Sequence, residues 1–168
     1  MAEVSNSTLF KIDTGILPTN ACVVIIKTDW NAGIVNELES GCIRILRQYG
    51  VDQIRTFNVP GAFELAFAVR QLWQHVKDLP NRPHAIIVFG CVLRGDTPHF
   101  EYVSQAVTQG ITKLNLELPI PTVFGVLTVD NQFQAEERIG GRHGHKGEEA
   151  AYTALKMISL PNMFKANW

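Results

Sequence analysis

Apolar positions along the chain follow two rhythms: short continuous runs, and longer segments in which they return every third or fourth residue. Ala21-Cys22-Val23-Val24-Ile25-Ile26-Lys27 is a continuous β-type run, the pattern of a strand covered on both faces. From Ile34 onward, Val35, Leu38, Cys42, Ile45, Leu46 and Tyr49 share one helix face, and Gly50 stops it. Gln53 to Val59 alternates as a second strand, Pro60-Gly61 breaks it, and Ala62 to Val76 resumes helical spacing. The loop Leu79 to Pro83 leads into a third strand over 84–90 and then a helix with Phe100, Val103, Val107, Ile111 and Leu114 on one side. Thr122 to Leu127 reads as a fourth strand and Asn131 to Arg138 as a short helix. Gly140 to Gly147 is a glycine-rich loop, and Glu148 to Ile158 the last helix, with Pro161 helping to end the order.

Strands alternating with helices predict an α/β fold. The expected form is a three-layer α/β/α sandwich around a flavodoxin-like four-stranded parallel sheet in the order 2-1-3-4, joined by right-handed crossovers. Residues 1–20, interrupted by Gly15 and Pro18, read as an N-terminal arm, 21–160 as one α/β domain and 161–168 as a C-terminal tail. The segment 62–76 carries more apolar residues than one buried face needs. Phe63, Phe67 and Ala68 lie off the stripe formed by Leu65, Ala66, Val69, Leu72, Trp73 and Val76, which predicts either deep burial within the chain or, the preferred reading in a domain this small, an outer face packed on another subunit.

In open parallel sheets ligands gather outside the carboxyl ends of the strands. Here those exits hold Trp30-Asn31, Pro60-Gly61-Ala62-Phe63-Glu64, Arg94 to His99, and Thr128-Val129-Asp130. Arg94-Gly95-Asp96-Thr97-Pro98-His99-Phe100-Glu101-Tyr102 is the most informative of them. Thr97 is an N-cap type, Pro98 suits a first helical position and Glu101 can close a capping box. Free N–H groups at such a start attract anions, and His99 places an imidazole beside them, so anion binding and proton transfer are expected at one spot.

Composition narrows the classes. A chain of 168 residues with formal net charge -1 gives no electrostatic reason to expect nucleic acid or an anionic membrane as partner. Cys22, Cys42 and Cys91 are odd in number and far apart, as in a reducing cytoplasm rather than a disulfide framework. Met1 to Thr14 has no basic region followed by an apolar block, so no secretory signal is expected, and Asn6-Ser7-Thr8 is an unused sequon. The chain has no GxxxxGK[ST] loop, no GxGxxG after a strand and no GxSxG elbow. His143-Gly144-His145 lacks a carboxylate partner set, so no metal is expected there.

Longer motifs carry a resemblance. Asp29-Trp30-Asn31, Asn58 to Glu64, Gly90 to Val103, Phe124-Gly125-Val126-Leu127-Thr128, Ala135 to Arg138 and His145-Lys146-Gly147 together resemble the 6,7-dimethyl-8-ribityllumazine synthases of riboflavin biosynthesis, over about Ala21 to Ile158. The resemblance implies a cytoplasmic transferase that condenses 5-amino-6-(D-ribitylamino)uracil with 3,4-dihydroxy-2-butanone 4-phosphate, with no metal or organic cofactor. Carried over by position, Trp30 stacks on the pyrimidine, Asn31 and Glu64 bind the ribityl chain, and Ala62, Phe63, Val92 and Leu93 line the heterocycle. Arg138, with backbone N–H groups at Asp96 and Thr97, holds the phosphate; Arg94 becomes a supporting residue. His99 transfers protons, Lys146 contacts the pyrimidine, and Phe124 stacks from a neighbouring subunit.

The resemblance further implies a homo-oligomer: a pentamer or a sixty-subunit icosahedral shell, with riboflavin synthase as an associated partner. The short segment between Arg138 and Lys146 is similar to that of shell-forming members, whereas Pro18 departs from an arm that pairs beside a neighbour's sheet. Two rival readings are a flavin- or lumazine-binding paralogue without activity and a structural shell protein. The polar set Trp30, Glu64, His99, Arg138 and Lys146 argues against both.

Overall fold

The computed structural model describes residues 8, 10, 11, 17, 18 and 20–168. The expected arm and its sequon lie for the most part outside the described residues. Four strands form the main sheet: β1 (Cys22–Thr28), β2 (Gln53–Val59), β3 (Ala85–Leu93) and β4 (Thr122–Val129). All three pairings are parallel, as the alternation of elements predicts, and the order is β2-β1-β3-β4, the expected flavodoxin-like one.

The helices α1 (Ala32–Gln48), α2 (Leu65–Val76), α3 (His99–Glu117) and α5 (Lys146–Ala166) cover the sheet. Successive side chains of β1 alternate between two cores. Val23 and Ile25 pack with Ile34, Leu38 and Leu46 of α1 and Ala151 and Leu155 of α5. Val24 and Ile26 pack with Leu65 and Val69 of α2 and Val107 and Ile111 of α3 on the opposite face. The run Val23 to Ile26 is continuous because neither face meets water, every one of its side chains being at most 2% exposed.

Several boundaries differ from the sequence expectation, each for a local reason. Strands β3 and β4 run on to Leu93 and Val129, because they pair with each other in register to those residues. Residues 62–76 are not one helix: a single 3-10 turn, Ala62–Glu64, precedes α2. The short helix contracts to α4 (Gln132–Glu136), with the Asn131 side chain accepting a hydrogen bond from Gln134 N–H. The glycine-rich stretch is a small antiparallel hairpin, β5 (Ile139–Gly141) and β6 (Gly144–His145), whose tight reversal uses positive φ at Gly140 and Gly144. Helix α5 passes through Pro161 to Ala166, so the tail over 161–168 is for the most part helix. Proline lacks the N–H that would reach back to the Met157 carbonyl, so the helix continues past it with one hydrogen bond fewer.

Candidate active site

Strand β1 ends by crossing toward β2: Asp29 N–H donates to the Val59 carbonyl and Trp30 N–H to that of Pro60. This turn throws the Trp30 indole outward, 73% exposed, an unusual place for a large aromatic surface without a partner. Asn31 follows at φ 58° and ψ 40°, the left-handed region that few residues other than glycine and asparagine occupy. Its side chain does not cap α1. Instead Nδ2 donates to the Cys91 carbonyl at 2.7 Å. Cys91 lies two residues beyond Phe89, the last β3 residue paired with β1, so the amide takes up a carbonyl that β1 has left behind.

A Cβ on Gly61 would lie 3.1 Å from Glu64 Oε2 and 3.8 Å from Trp30 Cδ1. The indole and the carboxylate therefore flank one glycine. A Cβ on Gly90 would stand 3.3 Å from Thr28 Cγ2, 3.5 Å from Val126 Cγ1 and 3.6 Å from Ala62 Cβ, so the exits of β1 and β2 close over β3. Ala62 and Val92 are half-buried on this face, Leu93 is half-buried against the core on the opposite face of the sheet, and Phe63 is exposed.

The β3–α3 connection departs from the expected capping. Helix α3 starts at His99 with Pro98 as its N-cap, and no side chain caps it. Glu101 pairs with Arg94 and with its own backbone N–H rather than with that of the N-cap residue, so the capping box does not form. Arg94 also binds Asp130 at 2.8 Å and lies 4.1 Å over the centre of the Phe100 ring. Hydrogen bonds from Arg94 hold the carboxyls of Glu101 and Asp130 below their ordinary range. With both acids and a ring engaged, Arg94 braces the loop. Asp96, Thr97 and His99 stand exposed at the helix start, where uncapped N–H groups favour an anion.

The remaining expected residues gather elsewhere. A cavity of about 750 Å³ runs along the outer edge of β4, the edge where the main sheet ends. Phe124, Arg138 and Lys146 line it; Trp30, Glu64, Asp96, Thr97 and His99 do not. Phe124 pairs with Val88, five residues before the Val129–Leu93 pair that closes the sheet. At about 3.3 Å per residue that places it roughly 16 Å from the carboxyl end. The single chain thus divides the predicted site into a strand-end group and a β4-edge group.

Within the edge group, Arg138 Nη1 donates to the Gln134 carbonyl at 2.6 Å, and Lys146 Nζ meets both Glu149 oxygens at 2.6 and 2.9 Å. The two groups are joined by a polar chain. Arg94 binds Asp130, Gln134 bonds the Asp130 backbone and side chain, and Arg138 bonds Gln134. Sequence reasoning missed Glu149 and Gln134. Each stands at helical spacing from a noted cation or acid, Lys146 to Glu149 and Asp130 to Gln134, and that spacing is the signal that would have found them.

An open parallel sheet with an indole, a carboxylate, an imidazole and free helix-start N–H groups at its carboxyl end, and a cationic cavity on its edge, defines an α/β enzyme of small molecules. The profile of the family 6,7-dimethyl-8-ribityllumazine synthase matches residues 20–162. Proteins of that name from Porphyromonas gingivalis and Parabacteroides distasonis are 51% and 49% identical over 139 and 138 residues, in each case 81% of this chain and 83% of the relative. One from Flavobacterium psychrophilum is 39% identical over 160 residues, 93% of this chain and 82% of the relative. The chain belongs to the lumazine synthase family, transferases of riboflavin biosynthesis.

Proposed function

We propose that this chain condenses 5-amino-6-(D-ribitylamino)uracil with 3,4-dihydroxy-2-butanone 4-phosphate to 6,7-dimethyl-8-ribityllumazine, phosphate and water, at sites completed by a second copy of the chain. The division of its candidate residues carries the reading. Trp30, Glu64 and His99 belong to the strand exits, whereas Phe124, Arg138 and Lys146 line the cavity on the β4 edge, Phe124 roughly 16 Å down the sheet. Docking the β4 edge of one copy against the strand exits of the next makes one pocket of both groups. The outer face of α2 supports such a contact: Phe67 is 68% exposed and the neighbouring Phe63 63%.

In that pocket the exposed indole of Trp30 and the ring of Phe124 enclose the planar pyrimidine. Asn31 and Glu64 hold the ribityl hydroxyls, and Ala62, Phe63, Val92 and Leu93 form the wall. The N–H groups at Asp96 and Thr97 and the neighbour's Arg138 take the phosphate, and its Lys146 takes the pyrimidine edge. An amine attacks a ketone, water leaves, phosphate is eliminated and a ring closes. Each step moves a proton, for which the His99 imidazole is placed beside the phosphate site. Bringing two reactants together supplies much of the rate.

Residues 21–160 act as one catalytic unit, preceded by the arm. The oligomer is a pentamer and, with the short Arg138 to Lys146 connection, a shell that associates with riboflavin synthase in the cytoplasm. Among the described residues no helix is long and apolar enough to cross a membrane. Mixing the purified protein with both substrates tests the reaction: fluorescent lumazine is expected, and flavin binding without product would overturn it. Light scattering tests the assembly, and a monomer that turns over at full rate would refute the shared site.

A further inference from the structure

We infer that His145 is a positioning residue: its ring, seated without a proton on Nδ1 against helix α1, holds Lys146 and Arg138 in the β4 cavity. The seat is Gly41, in the interior of α1, where glycine is a poor helix former and needs a reason. A Cβ at Gly41 would lie 2.2 Å from His145 Cε1 and 2.6 Å from each ring nitrogen, so the imidazole lies directly on the helix backbone. A second notch follows at once. A Cβ on Gly147 would lie 2.0 Å from the Leu38 carbonyl oxygen, one turn earlier on α1.

These two contacts fix where α5 begins. His145 is its N-cap, and Nδ1 accepts from Glu148 N–H at 3.4 Å. His145 pairs with Ile139 across the β5–β6 hairpin, and Lys146 N–H donates to the Arg138 carbonyl at 2.8 Å. The ring, the Lys146 backbone and the Arg138 backbone therefore stand or move together.

The cap requires a lone pair on Nδ1. A proton there would turn a donor toward the Glu148 N–H and put a cation at the positive end of α5. The charged groups facing the ring are Glu37 and Arg44 of α1 and Glu148 of α5, and Arg44 is paired with Glu148. From β5 the residue opposite is Ile139, without charge. Burial pushes the imidazole below its ordinary pKa; Glu148 and Glu37 oppose this and Arg44 adds to it. Because the unfolded chain takes up the proton more readily, the hold is complete above the ordinary value near 6.5 and is lost as pH falls through the lowered one.

The consequence for substrate rests on the roles proposed above for Lys146 and Arg138, and two readouts separate it from the hold itself. Hydrogen exchange of the assembled protein, corrected for intrinsic rate, follows the segment 137–150 between pH 7.5 and 5.5. Steady-state kinetics follow KM for the pyrimidine. In the wild type, protection is expected to fall with pH and KM to rise roughly three- to tenfold, the size of a lost cap. His145→Asn caps without titrating, so both should stay flat; His145→Ala and Gly41→Ala should show the acid behaviour already at pH 7.5. Identical exchange profiles for wild type and His145→Asn would overturn the inference. Altered exchange with constant KM would support the hold and refute Lys146 as a substrate contact.

Discussion

Replacing Asn31 separates two contributions at the edge of the pocket. In Asn31→Ala the Cys91 carbonyl loses its 2.7 Å donor where β1 no longer reaches it. The lost hydrogen bond costs about 0.5–1.5 kcal/mol, and an unsatisfied, partly buried carbonyl about 1–3 kcal/mol when water does not replace the donor. Alanine also tolerates φ 58° poorly, which adds about 1 kcal/mol. The expected loss is thus roughly 2–4 kcal/mol. Asn31→Gly loses the same donor but adopts the left-handed backbone freely, so it should lie about 1 kcal/mol above alanine. Asn31→Asp keeps the shape and turns an acceptor toward a carbonyl, so it should fall below glycine. Equilibrium urea unfolding at one protein concentration measures the order Asn, Gly, Asp. Ala and Gly variants both within about 0.5 kcal/mol of wild type would refute the roles of both the hydrogen bond and the backbone conformation.

Other consequences can be measured directly. His99→Ala should lower turnover roughly 10- to 1000-fold without abolishing it, and an unchanged single-turnover rate would remove His99 from proton transfer. Arg138→Ala should impair turnover more and weaken binding of the butanone phosphate, since a charge-assisted partner is lost; wild-type affinity in titration calorimetry would contradict the phosphate role. Gly147→Ala forces a methyl onto the Leu38 carbonyl and should destabilise the fold by about 3 kcal/mol or more, read as a lowered thermal midpoint. His84 is held below its ordinary pKa by burial, with Arg82 adding, while Nδ1 accepts from Cys22 N–H at 3.1 Å. It stabilises the protein fully above about pH 6.5 and progressively less below. His84→Asn should flatten that part of the stability profile, and an unaltered slope would show that His84 does not contribute.

The motifs around Trp30, Glu64 and His99 are legible because they sit at strand exits, where topology leaves side chains free to meet ligand. Trp30, Glu64 and His99 could be placed at one end of the sheet before any coordinates, since parallel crossovers bring every carboxyl end to the same edge. The departures are equally physical. Thr97 and Glu101 have the residue types of a capping box, but Arg94 offers Glu101 a charged partner and wins it. Gly140 to Gly147 reads as a loop because strands of three and two residues leave almost no periodicity.

By itself the sequence determined what short-range sterics and burial periodicity control: which of the longer segments are strand or helix, the α/β class and the identity of the strand-end residues. Only the tertiary structure decided that Phe124, Arg138 and Lys146 lie apart from Trp30, Glu64 and His99. It alone showed that Arg94 is spent on Glu101 and Asp130, and that His145 rests on Gly41 of a helix about a hundred residues earlier. Such contacts depend on where crossovers place one element against another. No local rule encodes the distance of a residue on β4 from the end of β1.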